Sequence, residues 1–269
     1  MSQVNKFFVL TLLFSWLWWI PVVIWPVEMA VMMPLVLVGA FGPTIMGVVL
    51  TYRYEDAMGR REFWQRCFQL SRIPGRWWLL IVLLFPLMAA LTAVVDTLLG
   101  GTGLSLDTDT LFDPLKLAGF IVLMILGGPL AEELGWRGFA LDRLQAKHSA
   151  LVASLFLGVV WVLWHLPLFY MEGTSQGALG FPSWGFAMWA TQVLALAIIY
   201  TWVYNHTGRS ILSAFLLHFF GNSTFTLMAG VGGKLPVQTE VISCVVHVVA
   251  AIAVVLYFGG KTLVRDKPV

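Results

Sequence analysis

Glu132 and Glu133 stand side by side at the end of an apolar run from Leu115 to Leu130, and a carboxylate set in hydrocarbon needs a partner or a task. An ionised one costs at least about 2.5 kcal/mol to insert, so the two acids mark a functional site by default. Arg137 follows Glu133 at i+4 with the acid on the N-terminal side, the favoured order for a helical ion pair. That pair is expected to neutralise itself and serve as structural support. Glu132, turned about 100° from its neighbour on a helix, faces elsewhere. Further along, His165 lies four residues after Trp161 and Asn222 four after His218, so each pair shares one helix face. A carboxylate, two imidazoles and an amide around a dry cavity suit the activation of water for hydrolysis. Glu132 can take a proton, while His165 can orient the same water or hold a metal that acidifies it. His218 and Asn222 can donate to a developing oxyanion. Gly127, Gly128 and Pro129 weaken the helix just before the acids and give water and substrate a way to the backbone.

These residues have to be carried by membrane helices. The 269 residues are 59% hydrophobic and 11% charged, against about 25% charged in an ordinary soluble domain, and the mean hydropathy is +0.85. About 20 apolar residues cross a bilayer as a helix, and eight runs qualify: 7–25, 29–51, 77–99, 115–136, 150–170, 184–204, 210–229 and 241–259. They are solidly apolar rather than alternating, which excludes a barrel. The fold class is all-α, a polytopic membrane protein with a bundle of about eight transmembrane helices, expected as one integral-membrane domain over 1–269 with its motif-bearing core at about 115–230.

Of the 16 Lys and Arg residues, all but Lys116 and Lys234 fall in loops and ends on one side, including the 52–76 loop, the 137–149 link and the C-terminal Lys261, Arg265 and Lys267. The 100–114 loop on the other side carries Asp107, Asp109 and Asp113. The positive-inside rule then puts both termini in the cytoplasm; the expected location is integral to a membrane, a bacterial plasma membrane. The net charge of +2 reflects this sorting and gives no case for nucleic acid. Trp16, Trp18, Trp19, Trp25, Trp77 and Trp78 are expected as interfacial anchors. The stretch around Arg60, Arg61 and Trp64 is an amphipathic segment suited to the inner leaflet. Cys67 and Cys244 offer no disulfide framework. Asp96 and His247 are expected in packing or interfacial roles, and His148 and His206 in solvated loops.

If spans four and five form a hairpin turning near His148, Glu132 and His165 lie about 24 Å from the turn on either arm and so at one depth. His218 joins that level, in the cytoplasmic half, if the hairpin projects by two turns. Taken in order, Glu132-Glu133-x-x-x-Arg137, Trp161-x-x-x-His165 and His218-x-x-x-Asn222 resemble the three motifs of the CPBP family of intramembrane proteases, over roughly residues 120–226. That family includes type II CAAX prenyl endopeptidases and bacteriocin-processing or immunity proteins. The resemblance implies an eight-helix core and peptide-bond hydrolysis in a membrane-associated protein or peptide, prenylated or not. It implies Glu132 as general base, His165 as its partner, His218 and Asn222 as oxyanion stabilisers, and Glu133 with Arg137 as support. The family usually has Phe where this chain has Trp161, which is read as a conservative change in the cavity wall, with Trp161→Phe retaining most activity. Family members are described as metalloproteases, and Glu132, His165 and His218 satisfy either a Zn2+ site or a metal-free one. A proton-coupled transporter and a non-catalytic immunity or scaffold protein are the rival classes, since buried Glu and His also build proton relays.

Overall fold

The computed structural model describes residues 1–229 and 235–265, apart from the side chain of Ala229. Lys234 and Lys267, counted above among the sorted cations, lie outside the described residues. Eight helices or helix runs are long and apolar enough to cross a membrane: Gln3–Ile24, Met29–Tyr54, Gly75–Leu98, Pro114–Gln145, Ala150–Tyr170, Trp184–His206, Ile211–Met228 and Val237–Phe258. The described residues contain no strand. In chain order the helices are α1 (Gln3–Ile24), α2 (Met29–Ala40), α3 (Gly42–Tyr54), α4 (Ala57–Phe68), α5 (Gly75–Leu98), α6 (Thr108–Phe112), α7 (Pro114–Leu126), α8 (Pro129–Gly135), α9 (Leu141–Gln145), α10 (Ala150–His165), α11 (Ser175–Leu179), α12 (Trp184–His206), α13 (Ile211–Ala229) and α14 (Val237–Phe258).

The second span is α2 and α3 joined at Phe41, and the fourth runs from α7 through α8 and a π-helical segment, Trp136–Ala140, into α9. The fourth span therefore continues nine residues past its expected end at 136, and the 137–149 link is mostly helix. Hydropathy falls there because of Arg137, Asp142 and Arg143, yet each charge is paired: Arg137 with Glu133, Asp142 with Arg66 and Arg143 with Glu55. Paired charges let the helix persist.

Two large buried clusters build the bundle, beside a small one of Phe63, Cys67 and Ile211 where α4 meets α13. One joins α1, the second span, the fourth span and α10 through Phe7, Trp19, Trp136, Phe139, Leu157 and Trp164. The other joins α5, α12, α13 and α14 through Trp77, Phe85, Tyr200, Leu217 and Val254. Outward residues such as Leu13, Leu17, Leu87, Val159 and Leu256 stay exposed, as lipid-facing positions require. Trp19 and Trp77 are not interfacial anchors: both are buried, and Trp19 Nε1 donates to Val36 O at 3.0 Å. His206 is half-buried at the end of α12 rather than freely solvated in a loop, its ring packing 4.7 Å from that of Trp77 and 4.9 Å from that of Phe258.

One end of the bundle gathers the N-terminal helix start, the basic connections and the C-terminal segment. Arg143 Nε donates to Gln3 Oε1 at 3.1 Å, Arg72 NH1 to Gly208 O at 3.1 Å, and Asn205 Nδ2 to Thr262 O at 2.8 Å. At the other end buried Asp96 accepts from Gly103 N, Gln238 Nε2 and Thr239 Oγ1, tying the loop after α5 to the start of α14.

Candidate active site

The fourth span is broken where it meets the site. α7 ends at Leu126 and α8 starts at Pro129, whose ring fixes a helical φ without needing an N–H partner. Thr44 Oγ1 of α3 donates to Leu130 O at 2.8 Å, steadying the new start. Backbone runs against backbone just beyond: a Cβ added to Gly47 would lie 2.7 Å from Gly135 Cα, and one added to Gly135 only 2.2 Å from Pro43 O. Small residues allow this contact between α3 and α8. At Gly128 a Cβ would fall 2.6 Å from Asn222 Nδ2 and 3.3 Å from His218 Nε2. The break in the fourth span and the polar face of α13 are therefore in direct contact.

Each acid is served by a donor four residues on. Glu133 Oε1 accepts from Arg137 NH1 at 2.9 Å, both side chains fully buried. Glu132 Oε2 accepts from Trp136 Nε1 at 3.1 Å and also from Trp161 Nε1 of α10 at 2.6 Å. Trp161 is thus a hydrogen-bond donor to Glu132, a contact that its expected role as a wall residue did not include. The Arg137 guanidinium lies 5.0 Å from the Trp161 ring and 4.5 Å from the Tyr200 ring of α12, at the seam between the two clusters. Such face contacts suit a desolvated cation. Tyr200 had no motif to mark it, and its only sequence signal is a polar ring in an apolar run.

The histidines are held by their Nδ1 atoms. His165 Nδ1 lies 2.9 Å from Trp161 O, and a carbonyl only accepts, so Nδ1 carries the hydrogen and Nε2 the lone pair. The His165 ring is wedged between those of Trp164 and Trp189, at 4.5 and 5.1 Å. His218 Nδ1 lies 2.7 Å from Glu133 Oε1, so the supporting acid orients His218 as well as Arg137. Its Nε2 faces Gly128 beside the Asn222 amide.

The expected residues are therefore brought together in two linked sets, with one difference in level. Glu132 meets Trp161 rather than His165, which sits one turn, about 6 Å, further along α10. Among the described residues no three His, Cys, Asp or Glu side chains gather as metal ligands. Hydrogen bonding at Nδ1 is also how metal-bound imidazoles are held, so Glu132 Oε1 and the Nε2 atoms of His165 and His218 are the atoms that would hold an ion, but in this arrangement they do not converge on one point. Asp96 and His247 stay apart from the site; His247 is buried with its ring 5.2 Å from that of Phe225.

Residues 114–224 match the family model described as type II CAAX prenyl endopeptidase Rce1-like. The chain is also 29% identical over 240 residues to a protein of Methanococcus maripaludis named CAAX prenyl protease 2, with 86% of this chain and 82% of that one covered. Both matches take in the three motifs and agree with the resemblance they carry.

Proposed function

From the premise that this chain belongs to the Rce1-like family its residues 114–224 match, we propose that it is an intramembrane endopeptidase of the CAAX prenyl protease type in which Glu132 activates water. The single observation that carries this reading is the sorting of the two acids: Glu133 is paired to a guanidinium, whereas Glu132 meets only neutral N–H donors. A cationic partner would hold a carboxylate as a spent anion, while neutral donors orient it and leave its charge available for a proton.

In the reaction, Glu132 Oε1 takes a proton from water as the water oxygen adds to the scissile carbonyl carbon. The carbonyl electron pair moves to oxygen, where Asn222 Nδ2–H stabilises it together with His218 as imidazolium, whose second proton is taken from bulk solvent before the step and stays on Nε2 through it. Glu133 is the counter-ion of that imidazolium through Nδ1. Collapse of the tetrahedral species breaks the C–N bond, and the proton held by Glu132 passes to the leaving nitrogen. His165 Nε2, with its lone pair set by the Trp161 carbonyl, accepts the second hydrogen of the water and orients it.

The test is cleavage of paired peptides, one prenylated and ending in a CAAX sequence and one unprenylated, by the purified protein in lipid, read by mass spectrometry. The prenylated peptide is expected to be cut in preference. Glu132→Gln is expected to slow cleavage by about 10²–10⁴-fold, the range for loss of a general base. A Glu132→Gln protein as fast as wild type would end the assignment of the base. Treatment with EDTA is expected to leave the rate unchanged; a stoichiometric zinc whose removal stops cleavage would mean that Glu132, His165 and His218 close on a metal during turnover.

A further inference from the structure

We infer that Trp161, with Trp136, is a positioning residue that fixes Glu132 by its indole N–H and so selects which carboxylate oxygen meets the water; this rests on the assignment of Glu132 as base. Both indoles donate to the same oxygen, Oε2, at 2.6 and 3.1 Å. Among the described residues no donor reaches Oε1, and Oε1 is not one of the sealed, unpartnered atoms of the site, as Glu133 Oε2 is. One oxygen is thus pinned and the other left for chemistry.

The two donors come from different spans. Trp136 sits one turn after Glu132 on the fourth, and its fully buried ring packs against Phe7 and Trp164. Trp161 belongs to α10 and touches the His218 ring at 5.7 Å and the Tyr200 ring at 6.0 Å. Its N–H is the shorter contact and the only one joining Glu132 to another span among the described residues. The same residue's carbonyl holds His165 Nδ1, so Trp161 sets both the carboxylate and the imidazole of its own motif. A phenylalanine at 161, the usual residue of the resembled family, keeps the carbonyl and the ring face but has no N–H. In this chain the orientation of Glu132 therefore depends on a donor that the aromatic character of the position does not by itself supply.

The discriminating variant replaces Trp161 with 3-benzothienylalanine, which keeps the bicyclic shape and exchanges N–H for sulfur. With the prenylated CAAX peptide as substrate, kcat is expected to fall about tenfold to hundredfold, the loss of one hydrogen bond to a charged group, with KM within about twofold. Trp161→Phe is expected to lose at least as much. An isostere with wild-type kcat would overturn the inference, including the case in which only Trp161→Phe is slow, because volume rather than the N–H would then matter. Glu132→Gln run beside them separates the two claims: an inactive Glu132→Gln with a fully active isostere refutes the role of Trp161 alone, and an active Glu132→Gln refutes the base assignment beneath it.

Discussion

Adjacent acids in one helix answer differently to the same substitution. Glutamine at 132 still presents a carbonyl oxygen to the indoles of Trp136 and Trp161, so Glu132→Gln is expected to melt close to wild type while losing cleavage. Glutamine at 133 leaves the Arg137 guanidinium fully buried without a counter-charge, a loss of about 3–5 kcal/mol. Glu133→Gln should therefore melt more than about 5 °C lower in detergent, and a thermal scan of the two variants that found them equally stable would contradict this division of labour. The division was partly legible beforehand. The i,i+4 spacing of Glu133 and Arg137 identifies the pair, whereas Trp136, at the same spacing from Glu132, carries no charge that would mark it as a partner. Spacing also could not tell that His218 turns to Glu133 and Trp161 to Glu132, because a shared face on one helix says nothing about which residue of another helix it meets.

At the scale of elements, the fourth span does three things that a straight helix would not. It breaks at Gly127 and Gly128, which brings backbone to the Asn222 amide. It then touches α3 through Gly47 and Gly135. Finally it bulges at Trp136–Ala140, and Arg66 of α4 takes up Gly138 O at 2.6 Å, along with Tyr204 Oη at 2.8 Å and the Asp142 carboxylate. π-segments of this kind recur at functional sites, where they shift the register of side chains. Gly135→Ala drives a methyl against the Pro43 carbonyl, a backbone atom that cannot swing aside, and is expected to cost about 1–3 kcal/mol and to reduce cleavage. Gly119→Ala, where a Cβ has nothing within 4 Å, should leave both melting temperature and rate as they were. Equal behaviour of the two alanines would show that α3 and α8 separate readily. Seven of the eight spans were readable from apolar runs to within a few residues, because lipid imposes one length on all of them. The fourth was cut short at 136, since hydropathy registers a charge and not the partner that neutralises it.

Across the whole molecule, charge is sorted along the bundle axis. The contacts of Arg143 with Gln3, of Arg72 with Gly208 and of Asn205 with Thr262 gather the basic connections at one end, while Asp96, Asp107 and the loop between them mark the other. The positive-inside rule places the basic end in the cytoplasm, and this can be measured with introduced thiols because the native ones are silent. Cys67 is buried against the body by α4, and burial pushes its thiol up to about 12 despite the nearby Arg66, so at pH 7 its thiolate is a fraction of about 10⁻⁵. Cys244 is buried in α14. Wild-type protein in intact cells is therefore expected to take up almost no membrane-impermeant maleimide at pH 7. Each unit of added pH should raise the Cys67 thiolate only about tenfold, too little to matter below pH 9. Against that background Ser105→Cys, exposed between α5 and α6, should label in intact cells, and Gln69→Cys, exposed just after α4, should label only after the membrane is opened. The reverse pattern would invert the molecule and put the basic end outside. Equal labelling of both in intact cells would mean a leaky membrane or a mixed topology, neither compatible with one oriented site. The predicted pattern would place the basic end of the Met29–Tyr54 span, the α4 clamp and the start of α13 on the cytoplasmic side.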